Sequence, residues 1–407
     1  MRSNGLALGA LIGAFLLLAA PASAQTVDEG PDPATIRVRF GPLWMNPSIA
    51  LPNLGVDTNV FNEPPSASPK TDFTMTVVPK ADLWLRMGRT WLSGTIAEDV
   101  VWYQQYETER STNHLLAVVW KAPLNRLATS VGASWLSTSA RPGFEIDARV
   151  RRREPAVTAS VEVRGFPKTF FGARAAGRDV SYEKYVYLGT NLQEELDRTV
   201  TDGAITIRHE LTPLTSVTLS AGRSRQRFKS SSRRSESDDY TLSFDFDAAA
   251  LLKGVAKVGY TDYKPESADL PGYRGSIAEI NLTYDLLNST RFLVIVNRSI
   301  DFSYDNDQPY YVLTGTGGSI AQRIAGPVDV VARASDQRLR YQNRLDDGPA
   351  DPERTDRVRS FGTGVGVRIG GGDLRLGFNI DRERRTSVLP EHEYEGLKYG
   401  TSLTYGL

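Results

Sequence analysis

The sequence predicts an all-β chain: an antiparallel up-and-down barrel of about 18 strands, with about 16 as the smaller solution, that crosses a membrane. Three observations predict it. Apolar and polar residues alternate with a period of two in one segment after another, a pattern that a strand sorts into two faces and a helix would scatter. The connections between those segments tend to alternate short and long, an asymmetry typical of transmembrane barrels and one that a soluble sandwich has no reason to adopt. Composition removes the competing classes. Lys and Arg total 48 and Asp and Glu 48 among 407 residues, so no global field exists to hold nucleic acid. Cysteine is absent, which excludes disulfides, thiolate metal sites, cysteine nucleophiles and a lipid-modified N-terminal cysteine. A hydrophobic content of 40% is low for one large soluble core, and 35 Gly and 17 Tyr beside 4 Met suit glycine-punctuated strands.

The first element is an export signal. Arg2 gives a positive start, Leu6 to Ala20 is apolar, and Pro21, Ala22, Ser23 and Ala24 supply an A-x-A cleavage site before Gln25. The expected division is a signal peptide over 1–24, a periplasmic tail over 25–39 and a barrel over 40–407. The tail is acidic, aperiodic and interrupted by Pro31 and Pro33. Beyond Ala24 no run approaches the roughly 18 apolar residues of a spanning helix. A spanning structure must therefore be built of strands, because lipid offers the backbone no other partner.

The strands follow in order. Phe73, Met75, Val77, Leu83 and Leu85 oppose Thr74, Thr76, Lys80, Asp82 and Arg86. Leu127, Val131, Ala133 and Trp135 oppose Ser130, Gly132 and Ser134; Val157, Ala159, Val161 and Val163 oppose Thr158, Ser160, Glu162 and Arg164. Leu242, Phe244 and Phe246 oppose Ser243, Asp245 and Asp247; Ile280, Leu282, Tyr284 and Leu286 oppose Glu279, Asn281, Thr283 and Asp285. Phe361, Val365, Val367 and Ile369 oppose Ser360, Gly362, Gly364, Gly366 and Arg368. Gly370 to Gly372 turn the chain into Leu374, Leu376, Phe378 and Ile380, opposed by Asp373, Arg375, Asn379 and Asp381. Pro52, Glu98 and the stretch Arg291 to Ile300, apolar on both faces, interrupt the pattern and read as bulges or imperfect boundaries.

The last strand, Lys398 to Leu407, fits polar, any, Gly, any, any, apolar, any, aromatic, with Lys398, Gly400, Leu403 and Tyr405 in the slots. It resembles the C-terminal signal by which the barrel-assembly machinery of Gram-negative outer membranes recognises its clients, although Leu407 follows the aromatic residue. Near the other end, Gly41-Pro42-Leu43, Asn46-Pro47-Ser48-Ile49 and Gly55-Val56-Asp57-Thr58-Asn59-Val60-Phe61 resemble the opening hairpin of the β-barrel porin 2 family. That resemblance implies an outer-membrane barrel, and some members are similar to barrels found with capsule and exopolysaccharide export systems. Polysaccharide-export proteins are the partners it implies.

Chemistry-bearing motifs are few. His114, His209 and His392 lie on different strands or loops, without metal-ligand spacing. The Gly362-x-Gly364-x-Gly366 run lacks the lysine and following helix of a phosphate loop and reads as small lumen-facing residues. Asp305, Asn306 and Asp307 lack a full calcium loop and read as a polar turn. The basic clusters Arg149 to Arg153 and Arg223 to Arg234 read either as solvated strand extensions or as contacts to lipopolysaccharide phosphates.

The inward face carries both signs. Its expected pore lining is Lys80, Asp82, Arg86, Glu162, Arg164, Asp245, Asp247, Glu279, Asp285, Arg368, Asp373, Arg375, Asn379 and Asp381. An Arg or Lys turned to lipid would cost about 2–4 kcal/mol at mid-membrane, so such residues belong inside. At this strand number a lumen holds water and small solutes. The expectation is a Gram-negative outer-membrane porin-like channel for hydrophilic solutes, or a guide for exported polysaccharide, surrounded by lipid and lipopolysaccharide. It needs no cofactor and binds no nucleic acid. An outer-membrane enzyme or adhesion scaffold with an occluded lumen, and a secreted soluble β protein, are the competing readings.

Overall fold

The computed structural model describes residues 30–31, 33–287, 289–345, 354–370 and 373–406. The proposed signal peptide, Ala22 and Ala24 included, lies outside them, as do Gly371, Gly372 and Leu407. In chain order the strands are β1 (Val38–Phe40), β2 (Leu43–Asp57), β3 (Asp72–Met87), β4 (Thr90–Tyr103), β5 (Ser111–Leu124), β6 (Leu127–Thr138) and β7 (Arg152–Phe166). They continue with β8 (Thr169–Tyr182), β9 (Val186–Tyr187), β10 (Thr190–Asn191), β11 (Arg198–Thr212), β12 (Thr215–Phe228), β13 (Ser235–Phe246) and β14 (Leu252–Pro265). The last are β15 (Tyr273–Leu286), β16 (Thr290–Phe302), β17 (Tyr310–Ala325), β18 (Val328–Gln342), β19 (Thr355–Ile369), β20 (Leu374–Thr386) and β21 (Tyr394–Tyr405).

Each barrel strand pairs antiparallel with its sequence neighbour, and β21 returns to pair with β2. Eighteen strands thereby close into one barrel, with β1 as a short extra hairpin arm on β2 and β9–β10 as a separate two-stranded element inside a connection. Closure leaves the eighteen-strand barrel itself no open edge, which a strand structure in lipid requires.

Cross-strand partners share a face, so the register sorts the side chains. Outward stand Val157, Val161 and Val163 of β7, Ile205 and Ile207 of β11, Phe361, Val365 and Val367 of β19, and Phe378 and Ile380 of β20, all exposed. An uncovered apolar belt of this extent is untenable in water and ordinary in a bilayer. The even-numbered residues of β7 and β11 and the odd-numbered ones of β14 and β18 point inward. At one end the chain turns tightly, as at Gly88 and Gly326, whose φ values of 64° and 52° suit glycine. At the other end the connections are longer: 58–71, 104–110, 139–151, 183–197, 229–234, 266–272, 303–309, 343–354 and 387–393. The start of β2 and the end of β21 lie at the tight-turn end.

The irregular positions resolve into three different things. Pro52 does sit in a bulge: the register of β2 shifts between Leu51 and Leu54 against β21 and between Ala50 and Asn53 against β3. Glu98 does not. It stands outward in regular pairing with His114, Oε2 to Nδ1 2.5 Å. Arg291 to Ile300 is also regular, against both β15 and β17. Its inward Ile295 is 8% exposed, so apolar residues on both faces reflect packing on the lumen side. Beyond Arg298, β16 loses β15 as a partner and keeps β17. The β16–β17 tip then packs Phe302 against Phe228 and Tyr263, which are inward residues of β12 and β14.

Candidate functional site: a polar lumen with a plugged mouth

The lumen wall is a lattice of ion pairs. Lys80 meets Asp82 at 3.0 Å; Lys253 (2.9 Å) and Arg291 (2.5 Å) converge on Asp285; Lys257 meets Glu279. The side chains of Lys80 and Asp82 remain 39% and 30% exposed, so this part of the wall borders open space. Arg208 joins Glu162 (2.9 Å) and Glu210 (3.0 Å), and Asp329 holds Arg368 (3.1 Å) and Arg375 (2.6 Å).

The glycines of β19 have a specific task. Arg333 on β18 bonds Asp381 on β20 at 2.6 Å, although β19 lies between them. The pair crosses over Gly362, where a Cβ would strike both partners. Asp329 reaches Arg375 in the same way over Gly366. The run Gly362-x-Gly364-x-Gly366 is thus the floor on which inter-strand salt bridges lie.

At the long-connection end, segment 139–151 leaves the wall between β6 and β7 and reaches across to the opposite side. Ile146 and Val150 are buried with Val180 and Tyr182 of β8, Leu192 and Leu196 of the short helix Leu192–Leu196, and Tyr304 of the β16–β17 connection. The polar contacts are denser. Glu145 accepts from Ser303 Oγ (2.6 Å) and from the Tyr304 amide (3.2 Å). Arg385 of β20, fully buried, donates to the Glu145 carbonyl (3.0 Å), to Asp147 (2.9 Å) and to Asp356 of β19 (2.6 Å). Asp356 also takes Arg354 at 2.8 Å. Arg141 ties the segment to the Val60 carbonyl (2.6 Å) and Asn62 bonds Asp147 (3.0 Å). A second buried arginine, Arg233, joins Glu195 (3.0 Å) to the carbonyls of Asp305 (3.1 Å) and Pro309 (3.3 Å). Segments from β2–β3, β6–β7, β8–β11, β12–β13, β16–β17 and β20–β21 therefore meet over one mouth.

Burial pushes the Glu145 carboxyl up to about 7, against the opposing pull of Ser303, Arg354, the Tyr304 amide and Arg385. His392, whose Nε2 lies 3.1 Å from the Tyr304 hydroxyl, is held neutral: burial, with Arg385 and Arg354 nearby, lowers it to about 3.

No family model matches the chain, and no curated protein matches it.

Solved structures similar to the chain include porins. They include a BenF-like porin from Pseudomonas fluorescens Pf-5 (TM-score 0.48, 11% identity, 89% of this chain and 99% of that one). Others are Pseudomonas aeruginosa OccK9 (OpdG), at 0.47, 11%, 89% and 97%, and Acinetobacter baumannii OccAB3, at 0.47, 11%, 89% and 98%. At that degree of likeness these porins say nothing about which solute this chain would meet. The porin 2 resemblance rests on its first-hairpin residues alone.

The structure places Lys80, Asp82, Arg86, Glu162, Arg164, Asp245, Glu279, Asp285, Arg368, Arg375, Asn379 and Asp381 on the inward face of their strands. Asp247 and Asp373 are corrections. The strands end at Phe246 and begin at Leu374, so both aspartates stand in tight turns; Asp247 caps its own turn through the Ala249 amide at 2.8 Å. Alternation alone had carried each strand one residue too far. The inward partners Arg208, Lys253, Lys257, Asp329 and Arg333 were missed, though the same two-residue rule would have found them. Of the assembly-signal residues, Lys398 bonds Asp57 (3.2 Å) and Gly400 faces Gly55 across the closing seam, while Leu403 and Tyr405 point outward.

Neither basic cluster is a single patch. Arg149 pairs with Glu109 (3.0 Å) and Arg152 with Glu154 (2.6 Å). Arg149 and Arg151 line a cleft of about 480 Å³ between the long connections. Arg223 and Arg225 face outward, whereas Arg233 is in the plug. Among the described residues His209 meets Thr169 at 2.9 Å, Asp305 and Asp307 form a turn (Asp307 amide to Asp305, 3.0 Å), and no group of carboxylates and histidines is arranged to hold a metal.

Proposed function

We propose that the chain is an outer-membrane channel for small hydrophilic solutes, with its tight turns in the periplasm and its outer mouth closed by segment 139–151. The observation that carries the reading is the contrast between wall and plug. The wall is a closed sheet with an apolar outside and a charged inside. The plug is held by side-chain contacts of Glu145, Asp147, Arg233 and Arg385, and side-chain contacts can release without unfolding a sheet. Solute selection would follow lumen width and the mixed-charge wall. Nothing in the described residues favours the polysaccharide-export reading, and the meeting of six connections over the mouth speaks against a wide, permanently open exit.

Planar-bilayer recording tests this. Wild-type barrel is expected to conduct rarely and briefly. Arg385→Ala, which removes the bridge between segment 139–151 and β19, should raise the open fraction at least tenfold while the barrel keeps its heat-modifiable gel mobility. A correctly folded Arg385→Ala barrel as silent as the wild type would count against it.

A further inference from the structure

Two stretches of the outward wall carry rows of basic residues at the long-connection end, and they differ in one respect. On β12–β15 most of the row is paired, Arg227 excepted. Arg225 meets Glu236 at 2.7 Å, Arg223 meets Asp238 at 2.8 Å, Lys264 sits between Asp238 (3.0 Å) and Asp262 (3.1 Å), and Arg274 meets Asp262 at 3.0 Å. On β18–β20 six arginines share the outward face: Arg338, Arg340, Arg357, Arg359, Arg382 and Arg384. Asp336 pairs with Arg357, and Glu395 of β21 pairs with Arg382 at 2.6 Å. The guanidinium groups of Arg338, Arg340, Arg359 and Arg384 make no hydrogen bond or salt bridge among the described residues, and all four are exposed.

The register adds an independent observation. Arg338 lies directly opposite Arg357, and Arg359 directly opposite Arg384. Like charges placed face to face across a ladder destabilise it. Asp336 also lies opposite Arg359, and Glu395 opposite Arg384, but each carboxylate already holds another arginine, so six arginines share two carboxylates and the row keeps a surplus of positive charge that asks for an anion. Their height says which kind. Arg359 is one outward position above Phe361, and Arg382 one above Ile380; Phe361, Phe378, Ile380 and Tyr399 form the exposed apolar belt beneath. A ligand that fits must put acyl chains on that belt and several uncompensated negative charges at its upper edge. Zwitterionic phospholipid carries its own cation beside each phosphate. A polyacylated, phosphorylated glycolipid does not, and planar guanidinium forks match its phosphates.

We propose that the outward faces of β18–β20 bind the phosphate groups of the outer leaflet's acylated glycolipid, with Arg338, Arg359 and Arg384 as the principal contacts. The proposal rests on the outer-membrane reading above. It moves the lipopolysaccharide contact away from 223–234, where Arg223, Arg225 and Arg233 are paired within the protein, to three strands where six arginines share two carboxylates.

The test uses the folded full-length barrel in detergent with bisphosphorylated lipid A, dephosphorylated lipid A and inorganic phosphate as probes. The triple variant Arg338→Gln, Arg359→Gln, Arg384→Gln alters exposed side chains that make no hydrogen bond or salt bridge among the described residues, so folding is expected to persist, and gel mobility checks it. Wild type should retain bisphosphorylated lipid A at least tenfold more strongly than the triple variant and than it retains the dephosphorylated form. The corresponding Arg225→Gln variant on β12 should change retention less than twofold. Equal retention by wild type and triple variant, equal retention of both lipid forms, or displacement by millimolar inorganic phosphate would each overturn the proposal. Insertion and conductance in bilayers are read separately, so a barrel that inserts but ignores lipid A refutes this site alone, and one that never inserts refutes the membrane reading.

Discussion

At Glu145 three demands meet: full burial, hydrogen bonds that suit a carboxylate, and a backbone carbonyl tied to Arg385. Burial wins and raises the group from an ordinary 4.5 to about 7. The sign follows from linkage. A carboxyl whose docked value lies above its free value favours docking fully below the free value and loses that contribution as pH rises through the docked one. The plug should therefore be firmest near pH 4.5 and weaken towards pH 7 and above, by on the order of 3 kcal/mol at most. Open fraction in bilayers is expected to rise several-fold from pH 5 to pH 8, and Glu145→Gln should flatten that profile; an unchanged profile in the variant would remove Glu145 from the account. Gly362 makes a different residue-scale case. Gly362→Val drives a side chain into the Arg333–Asp381 bridge and should lower stability by about 2–3 kcal/mol. The measurement is the temperature at which the folded gel band disappears, with Thr363→Val, an outward neighbour, as the control expected to change little.

Among the elements, the strands were legible in the sequence and the plug was not, for the same physical reason. A strand's two faces are written into consecutive residues, so Phe361 to Ile369 declares itself locally. Segment 139–151 has no period to read, and its partners Ser303, Tyr304 and Arg385 come from a connection and a strand far along the chain. The basic residues Arg149 to Arg153 drew attention to its end but gave no hint that Glu145 and Asp147 matter more. The glycines of β19 were read correctly as inward; why they must be glycine needed the register of β18 and β20. An element-scale test is to replace Pro142–Ala148 with a glycine-serine linker of equal length. Single-channel conductance and uptake of small sugars into liposomes should both increase several-fold, and an unchanged conductance would show that the closure lies elsewhere.

For the whole molecule, the even balance of charge read from composition recurs as geometry. Lys80 stands with Asp82, Lys257 with Glu279, Arg208 with Glu162 and Arg333 with Asp381, so neither sign dominates the wall. Once open, the channel should discriminate weakly between ions, with a cation-to-anion permeability ratio within about threefold of unity, read from the reversal potential across a salt gradient. A ratio beyond tenfold would mean that unpaired charges, not the matched lattice, govern passage.

The join between β2 and β21 has one more outcome. It is broken by the bulge at Leu51–Leu54, and Gly55 meets Gly400 there with no side chain on either strand. Every other pair of neighbours is linked by a nearby turn and can zip as soon as both are made, but this junction links residues more than three hundred positions apart and has to wait for all the others. It should be the final stitch during biogenesis and the first to part when the protein is pulled from either end.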